Sequence, residues 1–293
     1  MKNNVFNKGI LFAGLGSFWW GFFGVLYFKY ITFIGYIELV VHRCLWTTLT
    51  LILTTFFFSK WDIFFKIIKS KQNLVYLFMS GFLIFMNWGV WIYAIATNRI
   101  IDASFGYFIM PILSVLLGYI FFKEKLNNKR IFSITLVILS ILYLIFVSLK
   151  SLPWVGILVA LSWGFYNLVR KKVNVDTDIG LLIESLFILP IAIVAFYLIA
   201  VNGYNDFSLS NPPMMLIILL AGPMTVIPLF LYVRGVELCG LGPTGMIFYI
   251  TPTLQFLLGF FYYDEVFSFN KLVSFILIWI AVIIYLRDLY ETN

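Results

Sequence analysis

Apolar residues run in stretches of spanning length along nearly the whole chain, separated by short polar joints. About 20 apolar residues cross a bilayer core as an α-helix, because each residue advances about 1.5 Å and the core is about 30 Å thick. On that measure ten helices are predicted, near residues 9–28, 34–58, 73–96, 101–122, 130–148, 152–170, 179–201, 213–233, 242–263 and 271–288. The joints carry turn and helix-start residues, such as Ser151-Leu152-Pro153 and Asn211-Pro212-Pro213. Only Asn202 to Ser210 reads as a longer loop. The run from Gly9 to Phe28 exceeds the apolar segment of a signal peptide and is expected to be a retained first helix. The pattern predicts an all-α integral membrane protein.

The second five helices repeat the first. An offset of 141 residues lays Gly106-Tyr107-Phe108-Ile109-Met110-Pro111 on Ile247-Phe248-Tyr249-Ile250-Thr251-Pro252. It also lays Leu116-Leu117-Gly118 on Leu257-Leu258-Gly259, and Glu124 on Glu265. Trp20-Gly21-Phe22-Phe23 likewise resembles Trp163-Gly164-Phe165-Tyr166, and Glu38 and Glu184 each fall early in the second helix of their half. A Pro, a Gly and a Glu in register mark an internal duplication. Five crossings reverse the side of entry, so segments 1–150 and 151–293 are expected to be inverted five-helix repeats.

Basic residues set the orientation. Fifteen of the 20 Lys and Arg, among them Lys60, Lys123, Arg130, Arg170 and Arg234, fall on one predicted side. Lys29, Arg99, Lys150 and Lys271 fall on the other, and Arg43 sits inside a span. Both termini are therefore expected in the cytoplasm, with the chain in the cytoplasmic (inner) membrane of the cell. The composition agrees: 62% of residues are hydrophobic and only 11% charged, too few to cover a water-facing surface that is ordinarily about a quarter charged. The net charge of +7 is dispersed in small clusters between apolar runs, which argues against a nucleic-acid partner. Cys44 and Cys239 have neither disulfide nor zinc spacing. No phosphate-cradling loop, HExxH or GxSxG is present, so no cofactor, metal or direct use of ATP is expected.

The aromatic-rich run with a central Pro, Leu-Leu-Gly and a terminal Glu in helices four and nine resembles the EamA repeat of the drug/metabolite transporter superfamily. Glu38-Leu39-Val40-Val41-His42-Arg43, Asn87-Trp88, Ala103-Ser104-Phe105-Gly106-Tyr107-Phe108, Leu168-Val169-Arg170-Lys171-Lys172 and Leu182-Ile183-Glu184 resemble its RarD branch. The resemblance implies a ten-helix permease with a central cavity between inverted halves, acting on amino acids, their derivatives or other small metabolites.

Ionisable groups at membrane depth cost at least about 2.5 kcal/mol, so each one calls for a reason. Glu38 and His42 lie four apart on one helical face that Trp46 continues. They can form a proton-sensitive substrate pair, with a proton as coupling ion, or a structural network with Arg43 near the outer interface, Arg43 snorkelling to headgroups. Glu184 can reach the same central region or join helices. Asn87 beside Trp88, and Asn167 beside Tyr166, can bind a solute or a neighbouring helix. Trp20, Trp163, Tyr107 and Tyr249 hold repeat-related places near the centre, where aromatic faces beside a carboxylate would suit an amine. Pro111 and Pro252 can kink their helices at corresponding positions, a pointer to a transporter's binding region. Gly118 and Gly259, with Glu124 and Glu265, suit close packing and loop contacts.

The expected activity is secondary transport of a small-molecule solute across the lipid bilayer. The competing classes are a membrane-embedded enzyme acting on lipid and a solute channel. Nothing in the sequence sets the oligomeric state.

Overall fold

The computed structural model describes residues 2–31, 33–96, 100–148, 154–173, 175–207, 211–262 and 269–292, and every regular element among them is helical. Arg99, Lys150, Glu265 and the residues 151–153 and 208–210 lie outside this description, as do the side chains of Ala103, Ser104, Phe105 and Lys271.

Helix α1 (Lys2–Trp19) continues through a π-helical turn (Trp20–Gly24) into α2 (Val25–Tyr30). There follow α3 (Tyr36–Phe57), α4 (Trp61–Ile68), α5 (Lys71–Ala96), α6 (Ile100–Phe122) and α7 (Asn128–Ser148). The remainder is α8 (Trp154–Lys172), α9 (Thr177–Val201), α10 (Pro212–Leu219), α11 (Ala221–Cys239), α12 (Leu241–Ile247), α13 (Ile250–Tyr262) and α14 (Phe269–Thr292). Among the described residues, eight helical stretches are long and apolar enough to cross a membrane, and α6 adds a shorter apolar stretch, Gly106–Phe122. Helix α8 packs among them and ends on Arg170, Lys171 and Lys172.

The interruptions have local causes. Helix α4 occupies what the hydropathy pattern reads as a joint. It is short and two-faced: Ile67 is buried, while Phe65 is half exposed and Lys66 lies on the outer surface. Such a helix lies along a membrane interface rather than across it. Pro252 has no N–H to return to Phe248, whose carbonyl instead accepts from Thr251 N at 2.9 Å, separating α12 from α13. Its repeat mate Pro111 sits inside an unbroken α6.

Packing between elements comes in reciprocal pairs when the halves are exchanged. Helix α1 lies on α11 as α5 lies on α8, and α3 touches α11 as α9 touches α5. Helix α3 packs on α9, α6 on α12 and α7 on α14, each across the middle. The α7–α14 seam is stitched by polar bonds. Arg130 Nε meets Asp288 Oδ2 at 2.8 Å, and the Ser133 and Ser140 hydroxyls donate to the carbonyls of Ala281 and Ser274, both at 2.9 Å.

Phe6 and Ile10 of α1 pack against the cluster that holds Tyr285 and Leu289 of α14, which places the start of α1 and the end of α14 at one end of the bundle. That end also carries the ionic contacts of Lys60 with Asp178, Lys171 with Glu124 and Arg130 with Asp288. It is called the basic end below.

Candidate functional site

A cavity of about 270 Å³ lies between the two sets of helices, in the half of the bundle away from the basic end. Its walls come from α2, α3, α5, α6, α8 and α13 and from the π-helical turn, and it reaches toward Phe28 and Tyr36. The lining is mainly apolar and rich in aromatic rings, and Asn87, Thr251 and Gln255 add neutral polar groups. Arg43 is the one charged residue in this described lining.

One helical stripe of α3 delivers Arg43. Tyr36, Leu39, Val40 and Arg43 recur at helical spacing and all line the cavity. The guanidinium carbon stands 4.8 Å from the Phe28 ring centre and 4.9 Å from that of Trp88. Nε donates to Thr225 Oγ1 at 3.4 Å. Among the described residues no acidic side chain lines the cavity, so the positive charge is held by ring faces and one hydroxyl.

Four rings close the cavity toward the basic end. Trp20 meets Trp163 at 5.2 Å and Tyr232 at 5.7 Å, and Tyr232 meets Phe248 edge-on at 5.4 Å. In the wall above, Trp91 and Tyr107 meet edge-on at 5.5 Å. The π-helical turn sits beside this plug and against α13, where Thr251 Oγ1 donates to the carbonyl of Ser17 at 2.8 Å. Single π-helical turns of this kind recur at functional sites.

Of the residues singled out in the sequence, Trp20, Asn87, Trp88, Tyr107 and Trp163 line the cavity. The Asn87 amide nitrogen also donates to Val159 O and Ser162 Oγ, both at 3.0 Å, tying α5 to α8. Glu38, His42, Asn167, Glu184 and Tyr249 are not in the lining. Tyr249 donates to the carbonyl of Phe108, its repeat mate, at 2.7 Å and belongs to the packing between α6 and α14. Asn167 is buried one turn below Trp163.

Glu38 and His42 face a loop. Glu38 accepts from the backbone N–H of Asp206 at 2.8 and 2.9 Å and from that of Phe207 at 3.1 Å. Trp46 Nε1 donates to His42 Nδ1 at 3.1 Å, and an indole nitrogen can only donate. The imidazole proton therefore sits on Nε2, which donates to Glu38 Oε1 at 3.2 Å. The stripe Glu38–His42–Trp46 thus straps the segment before α10, while the neighbouring stripe carries Arg43. Changing Glu38 to Ala is expected to lower stability by about 3 kcal/mol, since it strands two backbone N–H groups and an imidazole. Thermal unfolding of the purified protein in detergent checks this; unchanged unfolding would exclude the strap.

Glu184 does not mirror Glu38. Glu38 lies in the first turn of α3, whereas Glu184 lies about two turns into α9. Ser80 Oγ donates to Glu184 Oε1 at 2.6 Å, Tyr166 Oη to Oε2 at 3.3 Å, and Arg170 Nε stands 3.3 Å from Oε1. This network lies on the basic-end side of the plug. Below it, Glu124 accepts from the N–H groups of Leu241 and Gly242 at 2.8 Å each and from Lys171 Nζ at 3.2 Å, joining the end of α6 to the start of α12. Gly118 makes this possible: a Cβ there would collide with the Glu124 carboxylate.

The pattern of the EamA-like transporter family matches residues 7–146 and again 151–287. The chain is 32% identical to the uncharacterized transporter YojE of Bacillus subtilis (strain 168), over 97% of this chain and 95% of that protein. It is 33% identical to the protein RarD of Escherichia coli (strain K12), over 98% of this chain and 96% of that one. A solved structure described only as the crystal structure of a protein aligns with TM-score 0.73 at 14% identity, covering 94% of this chain and 96% of that one, a likeness of fold.

Proposed function

Because the chain belongs to the EamA-like transporter family, within its RarD branch, we propose that it is a secondary transporter moving a small metabolite across the cytoplasmic membrane by alternating access. Membership makes it a multi-pass membrane transporter of a solute; the proposal concerns how it works. In this reading ten helices form two inverted repeats, 1–150 and 151–293, with both termini in the cytoplasm. The double family match and the reciprocal packing of the halves support the repeats, and the cationic residues gathered at the basic end support the orientation.

The single observation that carries the proposal is the cavity between the halves, closed toward the basic end by the four-ring plug. A cavity sealed on one side is what an outward-facing carrier requires, and rocking of the halves would move the seal to the other side. A coupled proton would act through the Glu38–His42 pair at the loop strap, beside the cavity rather than in its lining.

Purified protein in proteoliposomes is expected to give saturable counterflow in a screen of amino acids, amines, carboxylates and chloramphenicol, repeated with an imposed pH gradient. Flux rising linearly with concentration would indicate a channel instead, and chemically altered solute an enzyme. Counterflow indifferent to the pH gradient would remove the proton.

A further inference from the structure

Arg43 has five N–H donors, and one protein hydrogen bond, to Thr225, engages them. Its terminal nitrogens have no hydrogen-bond partner among the described residues, and the side chain forms part of the cavity wall. A cation at membrane depth is ordinarily matched by an anion. Arg170 meets that rule, standing 3.3 Å from Glu184 and 3.6 Å from Glu237, and so does Arg130 with Asp288. Arg43 departs from it in the wall of the central cavity. The rings of Phe28 and Trp88 offset part of its charge and orient it. They leave the fork of donors for a ligand.

We infer that the cavity takes small organic monoanions, with a carboxylate seated on Arg43 and a flat apolar body held among Trp20, Trp88, Trp91, Tyr107 and Trp163. The guanidinium fork matches a carboxylate through two parallel hydrogen bonds. One cation balances one negative charge, which disfavours a phosphate dianion. An amine fares worse than either, since among the described residues no carboxylate lines the cavity to receive it and Arg43 repels it. This reverses the expectation drawn from aromatic residues and Glu38 in the sequence. About 270 Å³ is slightly below the range of pockets for drug-sized ligands, so the body is that of one ring system with a short side chain. Asn87, Thr251 and Gln255 give polar substituents on that body a partner.

The inference rests on the transporter reading only for how the ligand arrives and leaves, so binding tests it without flux. Purified protein in detergent is titrated with phenylacetate, phenylacetamide, phenethylamine, indole-3-acetate and inorganic phosphate, followed by tryptophan fluorescence and thermal unfolding. The carboxylates are expected to bind at least about tenfold more tightly than the matched amide or amine. Arg43→Gln is expected to abolish that preference, and Arg43→Lys to keep part of it. The matched series on the unaltered protein needs no variant to fold. Equal binding of amide and carboxylate, tighter binding of the amine or phosphate, no carboxylate binding above the amide, or an undiminished preference in a folded Arg43→Gln protein would each overturn the inference. Carboxylate preference without counterflow of any solute would leave the anion site standing and remove the alternating-access reading, whereas counterflow of amines with no carboxylate binding would do the opposite.

Discussion

Replacing Glu184 by Ala is expected to cost about 3 kcal/mol of stability, the lower end of the penalty for breaking a buried ion pair, since a second, longer contact to Glu237 remains. Arg170 is fully buried, and Glu184 is its nearer carboxylate at 3.3 Å, with Glu237 at 3.6 Å. The same carboxylate also accepts from Ser80 and Tyr166, so its removal frees two hydroxyls and loosens α5 and α8 from α9 together. The guanidinium cannot relax toward α9, because it lies over Gly180 where even a Cβ would collide with it. Thermal unfolding and yield in detergent measure the loss. The paired change Arg170→Met with Glu184→Leu is expected to recover much of it, since both charges then leave together. A single Glu184→Ala protein within about 0.5 kcal/mol of the parent would show that the pair carries no such burden.

Removing the Glu124 carboxylate is expected to open the basic end. It is the acceptor for two backbone N–H groups of α12 and for Lys171, a set of charge-assisted bonds between the first half and the second. Lys60 makes a comparable bridge to Asp178 at 2.6 Å, so opening is favoured without being complete. Bonds to a charged group contribute about 1.5–3 kcal/mol each, and losing even one shifts a two-state equilibrium about tenfold. Cys239 is buried beside this junction, its sulfur 3.2 Å from Thr244 Oγ1. In a Cys44→Ala background, Glu124→Ala is expected to raise the rate of maleimide labelling at Cys239 about tenfold. A rate unchanged by the substitution would mean that Glu124 only caps α12.

Much of the architecture was legible because lipid imposes a simple rule, a long apolar run for each crossing. The helices predicted at 34–58 and 130–148 coincide with α3 and α7 to within a few residues. Helix α4 was not legible, since its eight residues fall well short of the roughly 20 apolar residues that mark a crossing. The break between α12 and α13 was signalled by Pro252, yet the same residue type at Pro111 leaves α6 whole, so the proline alone does not decide the outcome.

The site was harder to read, and α3 shows why. Its sequence offers two polar stripes one residue apart, and composition favoured Glu38–His42–Trp46 over the stripe ending in Arg43. The choice turns on where the segment 204–207 folds back, which no local pattern encodes. The stripe Tyr36–Leu39–Val40–Arg43 carried the missing signal: a lone cation following apolar and aromatic neighbours at helical spacing, with no acid one turn away.

The ring plug has one more consequence. At the offset of 141, Trp91 corresponds to Tyr232 and Tyr107 to Phe248, so the edge-on pair in the cavity wall is the counterpart of the edge-on pair sealing its floor. Trp20 and Trp163 meet the floor pair in tilted and edge-on contacts. In the alternating cycle proposed above, the same two indoles would have to leave Tyr232 and Phe248 before they could join Trp91 and Tyr107. The molecule would then behave as an airlock whose two doors share one bolt, in which shutting either door withdraws the bolt from the other.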